Sequence, residues 1–146
     1  MATLRDIMST DVVTVTRQDN IYEAALKMKN NDTGFIPVVE NDRPIGVVTD
    51  RDLVIRGYAE KRSGSASIEE VMTKGVVSLP PDATVEEAAR KMAENRIRRL
   101  AVVENGRLVG VVALGDLAVR DAHDRKAGRA LSEISKNVDH VGVPGR

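Results

Sequence analysis

The chain contains the same fifty-residue unit twice. Residues 7–56 align with residues 71–120 without a gap after a shift of 64 positions, and twenty of the fifty positions are identical. Such a duplication predicts two packed halves related by a pseudo-twofold axis, with two equivalent clefts between them. One unit of this size buries too little apolar surface for comfortable stability, so the two are expected to share a core.

Each unit predicts the element order β-α-β-β-α. In the first unit, β-branched and apolar runs predict strands at Asp11–Val15, Phe35–Val39 and Ile45–Thr49. Helical spacing follows the N-cap candidates Asp19 and Asn20, and resumes from Asp50. The second unit predicts strands at 76–79, 100–103 and 108–112, and helices after Asp82 or Thr84 and from Gly115.

Asn105-Gly106 is the strongest turn signal in the sequence. A type I′ hairpin turn needs two residues that tolerate positive φ, and this dipeptide supplies them. The flanking strands are therefore predicted to be antiparallel, and Asn41-Asp42 is predicted to form the corresponding turn in the first unit.

Together these patterns predict an α/β (α+β) fold with repeats at 7–58 and 68–122. The polar segment 59–67 is expected to be the linker between them. Residues 123–146 form a C-terminal tail with one short helical pattern, carried by Ala130, Leu131 and Ile134.

Composition excludes several classes of protein. The 22 basic and 22 acidic residues cancel, which argues against a nucleic-acid or membrane partner. There is no cysteine, no signal peptide and no apolar run long enough for a membrane helix, so we expect a soluble cytoplasmic protein. His123 and His140 are too few for a metal site, and no nucleophile–base pair is evident, so we expect no enzymatic activity.

The most informative local motif is Gly46-Val47-Val48-Thr49-Asp50-Arg51-Asp52, where a strand ends and a helix begins. Glycine permits close approach of a ligand, the helix start favours an anion such as phosphate, and a carboxylate suits two adjacent sugar hydroxyls. The competing interpretation is structural: Thr49 or Asp50 caps the helix, and the acidic residues complement its dipole.

The second copy of this motif keeps Asp116 but has Ala113 in place of Thr49 and Leu114 in place of Asp50. This difference predicts two unequal sites. A further candidate is the cluster Arg96, Arg98 and Arg99, which either closes on a phosphate group or forms a solvated basic turn.

The doubled unit resembles a tandem pair of CBS (cystathionine-β-synthase-type) domains, also called a Bateman module. The family's signature is glycine, two hydrophobic residues, Thr or Ser, any two residues, and Asp; residues 46–52 match it in full, whereas residues 110–116 match only at glycine and aspartate. The whole chain is similar to small stand-alone prokaryotic CBS-pair proteins.

The resemblance implies a cleft ligand that contains adenosine: AMP, ADP, ATP, S-adenosylmethionine or NAD, or in some members a cyclic dinucleotide. Thr49 would contact phosphate or ribose, and Asp52 the ribose hydroxyls. Adenine would be lined by Val76, Val77, Ile97 and Ala101, with Arg98 and Arg99 near the phosphates. A second pocket, whose occupancy is doubtful because of Ala113 and Gly34, would use Asp116, Val12, Val13, Thr33 and Pro37.

These observations predict a non-enzymatic sensor of adenine nucleotides, which the resemblance implies is a homodimer. It has no cofactor in the catalytic sense, and its downstream protein partner is unknown. The alternative is a structural dimerisation scaffold whose pockets are vestigial.

Overall fold

The computed structural model describes residues 2–121 and residue 134. Its helices are α1 (Leu4–Ile7), α2 (Ile21–Asn31), α3 (Asp50–Asp52), α4 (Val85–Asn95) and α5 (Leu114–Asp121). Its strands are β1 (Phe35–Glu40), β2 (Arg43–Thr49), β3 (Thr73–Lys74), β4 (Ser78–Leu79), β5 (Arg99–Glu104) and β6 (Arg107–Ala113). After α3 the chain continues as a π-helical turn (Leu53–Gly57) and a 3-10 turn (Tyr58–Glu60), and a further 3-10 turn covers Ile68–Glu70.

This is a mixed α+β architecture with two small sheets, which confirms the predicted fold class. One sheet has the order β1-β2-β3 and the other β4-β5-β6. Asn20 caps α2 and Thr84 caps α4, each through a reciprocal capping box with a glutamate three residues later. The helices therefore begin where their polar side chains can bond the first free backbone N–H groups.

Both hairpin turns have the backbone geometry that the sequence predicted. Asn41 and Asp42 have φ of 53° and 66°, and Asn105 and Gly106 have φ of 53° and 78°. Strands β1 and β2 pair antiparallel. The primed turn joins such strands because its twist matches theirs.

The first predicted strand of each repeat is shorter than expected. Residues 11–15 form only an isolated bridge between Val15 and Val38, and residues 76–79 shorten to β4. In the second repeat the Ala101 N–H donates to the Val77 carbonyl at 3.3 Å. Pro37 occupies the equivalent position in the first repeat and has no N–H, so its ladder loses that bond.

The described residues divide into two compact units that do not follow the order of the repeats. The first-repeat unit contains residues 11–76 and 105–108, and the second-repeat unit contains residues 2–10, 77–104 and 109–121. Residues 2–10, which lead into the first repeat, thus belong to the second-repeat unit, and residues 68–76, which begin the second repeat, belong to the first-repeat unit. We call these two stretches the leading segments.

The two leading segments attach to their units through corresponding backbone bonds. In the second-repeat unit, the Leu4 N–H donates to the Ala83 carbonyl at 2.9 Å. In the first-repeat unit, the Ile68 N–H donates to the Asp19 carbonyl at 2.8 Å. Leu4 and Ile68 are both fully buried, so each anchors its segment in the core of its unit.

Each unit has its own apolar core among the described residues. That of the first-repeat unit is formed by Val15, Ala24, Met28, Ile36, Val38, Val48, Ile68, Val71 and Met72. That of the second-repeat unit is formed by Leu4, Ala83, Val85, Ala88, Ala89, Met92, Leu100, Val102, Val112, Leu114, Leu117 and Ile134. The predicted C-terminal tail lies outside the described residues, apart from Ile134.

Candidate functional site

Thr49 and Asp52 face each other across the junction of β2 and α3. The Thr49 Oγ1 accepts a hydrogen bond from the Asp52 N–H at 3.1 Å, and the Asp52 Oδ2 accepts one from the Thr49 N–H at 3.0 Å. This is a capping box, with both residues supplying an acceptor for the other's backbone. The prediction that Thr49 caps the helix is confirmed, whereas its role towards a ligand stays a prediction.

The Asp52 carboxylate is largely enclosed, with 13% of its side chain exposed. Its second oxygen, Oδ1, lies 4.0 Å from the Nε of Arg56. A carboxylate offers about four lone-pair positions, so the cap leaves acceptor capacity for a further donor.

Strand β1 begins beside this junction. The Asp50 N–H donates to the Gly34 carbonyl at 3.0 Å, and a Cβ added at Gly34 would lie 2.6 Å from the Asp50 Oδ2. Gly34 is therefore required for the close approach of the Asp50 carboxylate to the start of β1.

The second-repeat unit repeats this geometry without the hydroxyl. The Asp116 Oδ2 accepts a hydrogen bond from the Ala113 N–H at 2.7 Å, and the Leu114 N–H donates to the Arg98 carbonyl at 2.8 Å. In both copies the aspartate accepts a hydrogen bond from a backbone N–H at the strand–helix junction. This structural role accounts for an aspartate in both copies. What distinguishes the first copy is Thr49.

Several residues predicted to bind the ligand lie together in the second-repeat unit. Val77 and Ile97 pack against the same core, and Ala101 bonds to the Val77 carbonyl. Arg98 and Arg99 are half-buried at the start of β5, whereas Arg96 is exposed. Arg96 has a φ of 54° and ends α4 in the left-handed conformation, so its backbone serves as a helix terminus.

The residues predicted for the second pocket lie in the first-repeat unit, apart from Asp116. The Val15 N–H donates to the Pro37 carbonyl at 3.2 Å, and Val13 packs against the core of this unit. The Thr33 hydroxyl accepts a hydrogen bond from the Phe35 N–H at 3.3 Å. Val12 is half-buried in the same segment.

Neither predicted pocket is contained in one unit. Thr49, Asp52 and Val76 belong to the first-repeat unit, and the rest of the main set belongs to the second-repeat unit. Within the first-repeat unit the structure brings together Thr49 and Asp52, and within the second-repeat unit it brings together Val77 and Ala101.

Sequence reasoning missed Arg56. Its NH1 group donates to the Met72 carbonyl at 3.0 Å while its Nε faces Asp52. A signal was available, because Arg56 and Arg120 are identical residues at corresponding positions of the two repeats.

Within residues 2–121 and residue 134, no group of three or more His, Cys, Asp or Glu is placed to hold a metal ion. No helix in this part of the chain combines the length and the apolar character needed to cross a bilayer. His123 and His140 lie outside the described residues.

Comparison with known proteins places the duplication in a family. Residues 4–57 and 68–122 match the CBS domain. The CBS domain-containing protein YhcV of Bacillus subtilis is 44% identical over 140 residues, which cover 96% of this chain and 100% of YhcV.

Two solved structures show the same fold. Hypoxic Response Protein I, crystallised with two coordinated zinc ions, has a TM-score of 0.75 and 33% identity, with 81% of this chain and 98% of that chain covered. The CBS domain pair of protein MJ0100, in complex with 5′-methylthioadenosine and S-adenosyl-L-methionine, has a TM-score of 0.75 and 26% identity, with 84% and 98% covered.

The chain therefore belongs to the CBS domain family and carries two CBS domains in tandem. CBS-domain pairs are regulatory modules, and the MJ0100 pair binds ligands that contain adenosine.

Proposed function

We propose that this protein is a regulatory module that binds an adenosine-containing ligand of the AMP or ATP type through its first-repeat motif. The observation that carries the proposal is the Thr49–Asp52 pair, in which a largely enclosed carboxylate and a hydroxyl are held together at the end of β2. A carboxylate fixed in this way accepts hydrogen bonds from two adjacent ribose hydroxyls without further ordering.

The electrostatics of the arginine pair supports the same ligand class. Arg98 and Arg99 are half-buried at the start of β5, and Gly34 and Phe35 replace them in the first repeat. Guanidinium groups bind phosphate oxygens in bidentate fashion. One motif that keeps the hydroxyl and one that lacks it favour a single preferred ligand position over two equal ones.

The test is isothermal titration with AMP, ADP, ATP, NAD and S-adenosylmethionine. Asp52→Ala removes a charged acceptor, and we expect about 1.5–3 kcal/mol of lost binding free energy, or roughly a ten- to hundredfold weaker affinity. Asp116→Ala is the matched control. It removes the equivalent hydrogen bond, from the Ala113 N–H to the Asp116 Oδ2 at 2.7 Å, in the copy that lacks the hydroxyl. Equal losses of affinity in both variants would contradict a preferred site at the first-repeat motif.

A structural scaffold is the second candidate, and one observation favours it. Asp52 and Asp116 both bond the backbone of their own junction, so the motif has a structural use even without a ligand. Flat titrations with all five compounds, from a protein that stays folded and dimeric, would establish the scaffold instead.

We also propose that the protein is a homodimer that pairs through an apolar helical surface on the first-repeat unit. Large hydrophobic side chains are exposed there on α2 and on the turn after α3: Tyr22, Leu26, Val54, Ile55 and Tyr58. Tyr22 and Tyr58 are 61% and 85% exposed, and together present about 300 Å², more than a third of the ~800 Å² that each partner of a stable complex buries.

The second repeat does not reproduce this surface. Glu86 and Arg90 stand at the positions of Tyr22 and Leu26, and their side chains approach to 4.0 Å along α4. Among residues 2–121, this apolar surface is found on the first repeat. A second copy of the chain would cover it by pairing like surface with like.

Light scattering after size-exclusion chromatography tests this pairing. The double substitution Tyr22→Glu with Leu26→Arg gives α2 the residues that α4 already has, so we expect a folded monomer. Val119→Arg, at a 74% exposed position outside the surface, should remain dimeric. A monomeric wild-type protein at micromolar concentration, or a dimeric double variant, would refute the pairing.

A further inference from the structure

Arg56 lies between the Asp52 carboxylate of the candidate site and residues 72–76. Its Nε is 4.0 Å from the Asp52 Oδ1, and its NH1 donates to the Met72 carbonyl at 3.0 Å. A guanidinium presents its donors in a rigid planar fork, so one side chain can hold two acceptors in fixed relation. Half of the side chain is exposed, which makes the charge contact modest and the carbonyl contact the firmer of the two.

The backbone of Arg56 is also held in place. Arg56 belongs to the π-helical turn Leu53–Gly57, whose widened geometry is marked by the Tyr58 N–H reaching both the Leu53 and the Val54 carbonyls. π-Helical turns are rare and are frequent at functional sites. The Arg62 Nε donates to the Arg56 carbonyl at 3.0 Å, and the Arg62 NH1 pairs with Glu70 at 2.8 Å.

The segment on the other side of Arg56 is short and marginally paired. Met72 is buried, and β3 follows it with two residues that pair with Gly46 and Val47 of β2. The Gly75 N–H donates to the Ile45 carbonyl at 3.0 Å. A two-residue strand at a sheet edge has a low free energy of local opening. The hydrogen bond from Arg56 to the Met72 carbonyl, just before this strand, therefore contributes a large part of that free energy.

The corresponding arginine of the second repeat also faces a leading segment. Arg120 is half-buried on α5, and α5 contacts α1. Arg120 is close enough to Asp6 to be among the causes that lower the pKa of Asp6. Asp6 and Glu70 occupy equivalent positions before Met8 and Met72. Helix α5, which carries Arg120, thus contacts α1 of its leading segment, and Arg56 bonds to Met72 of the other leading segment.

We infer that Arg56 is a positioning residue that orients the Asp52 carboxylate and couples it to residues 72–76. This inference rests on the proposed function for its ligand. It adds that ligand binding at Asp52 changes the order of residues 72–76, which lie outside the candidate site. A ligand that orders Asp52 also orders Arg56, and through the Met72 carbonyl it steadies β3 and the chain leading to Val76.

Hydrogen–deuterium exchange of the full chain tests the coupling in two arms. In the ligand-free protein, Arg56→Gln should speed exchange of the amides of residues 73–75 about three- to tenfold, as expected for loss of one hydrogen bond from a local opening equilibrium. Arg51→Gln is the matched control, because it removes the same charge from an exposed position of α3 and should leave these amides unchanged.

The second arm adds AMP, with S-adenosylmethionine in parallel. Ligand should slow exchange at 73–75 in the wild-type protein, and Arg56→Gln should lose this protection and bind about two- to fivefold more weakly. Arg56→Lys keeps the charge but not the fork, so it should bind nearly as tightly as wild type and still lose the protection. If Arg56 had only a structural role, Arg56→Lys would not keep its ligand affinity while losing the ligand-induced protection of residues 73–75.

The two proposals fail differently. If neither compound binds the wild-type protein, the proposed function fails for these ligands, and the ligand-free arm still decides whether Arg56 holds residues 73–75. If ligand binds but Arg56→Gln matches Arg51→Gln in both arms, the coupling is refuted and the binding function stands. Unchanged exchange in ligand-free Arg56→Gln overturns the inference in either case.

Discussion

Exchanging Thr49 and Ala113 tests the most specific difference between the two motifs. In the first repeat the Thr49 Oγ1 accepts the Asp52 N–H at 3.1 Å, while Ala113 offers the Asp116 N–H no such acceptor. An N-cap hydroxyl contributes about 1 kcal/mol, within a range of roughly 0.5–2 kcal/mol. Thr49→Ala should therefore lower the free energy of unfolding by about 1 kcal/mol, and Ala113→Thr should raise it by a similar or smaller amount.

The assay is urea and thermal unfolding of both variants beside the wild-type protein. For a chain of 146 residues, about 1 kcal/mol corresponds to a shift in Tm of roughly 2–4 °C. Thr49→Ser is the control, because serine keeps the acceptor oxygen and should stay within about 0.5 kcal/mol of wild type. A Thr49→Ala variant as stable as wild type, or a Thr49→Ser variant that loses as much stability as Thr49→Ala, would show that the Thr49 hydroxyl does not stabilise the helix start.

Two further predictions concern packing and pH. Gly46→Ala should destabilise the protein by about 1–3 kcal/mol, because its new Cβ would lie 2.5 Å from the Thr73 carbonyl oxygen. Gly110→Ala should cost less, since its Cβ would lie 2.7 Å from the sulfur of the flexible Met8 and 3.0 Å from its nearest backbone atom, the Ser9 carbonyl oxygen. Unfolding curves that reverse this order would contradict this difference in packing. The pKa of Asp6 should lie below its ordinary value of 3.8, chiefly because its carboxylate accepts a hydrogen bond from the Thr3 backbone. The Asp6 carboxylate should stabilise the protein above pH ~4, and this contribution should be lost as pH falls through the lowered pKa. The difference in free energy of unfolding between wild type and Asp6→Asn should therefore shrink at low pH. A carboxyl NMR titration that gives a pKa of Asp6 at or above 3.8 would exclude this contribution.

Local signals account for much of the fold. Asn20 and Thr84 begin helices because their side chains satisfy free backbone N–H groups, and both are recognisable from a glutamate three residues later. Asn41-Asp42 and Asn105-Gly106 form turns because they tolerate positive φ. Each of these interactions joins residues a few positions apart, so composition and spacing suffice to predict it.

The candidate site was predictable in its motif but not in its geometry. The pattern from Gly46 to Asp52 marked the junction, and Ala113 marked the copy that lacks the hydroxyl. That Thr49 and Asp52 bond each other's backbone, and that Arg56 reaches the Met72 carbonyl, became visible only in the folded chain. Side-chain direction and distance depend on packing, which local spacing does not encode.

The sequence by itself determined the duplication, the capped helices α2 and α4, the two strands of each hairpin, and the turns that join those strands. Only the tertiary structure decided that residues 2–10 join the unit of the second repeat and that residues 68–76 join the unit of the first. It also decided that Thr73 and Lys74 pair with β2 while residues 11–14 remain unpaired. Hydrogen bonds between residues far apart in sequence, such as Leu4 with Ala83, and fully buried side chains such as Ile68 hold these segments in their units. Such contacts form where apolar burial outweighs the entropy of closing the loop, a balance that no local pattern records.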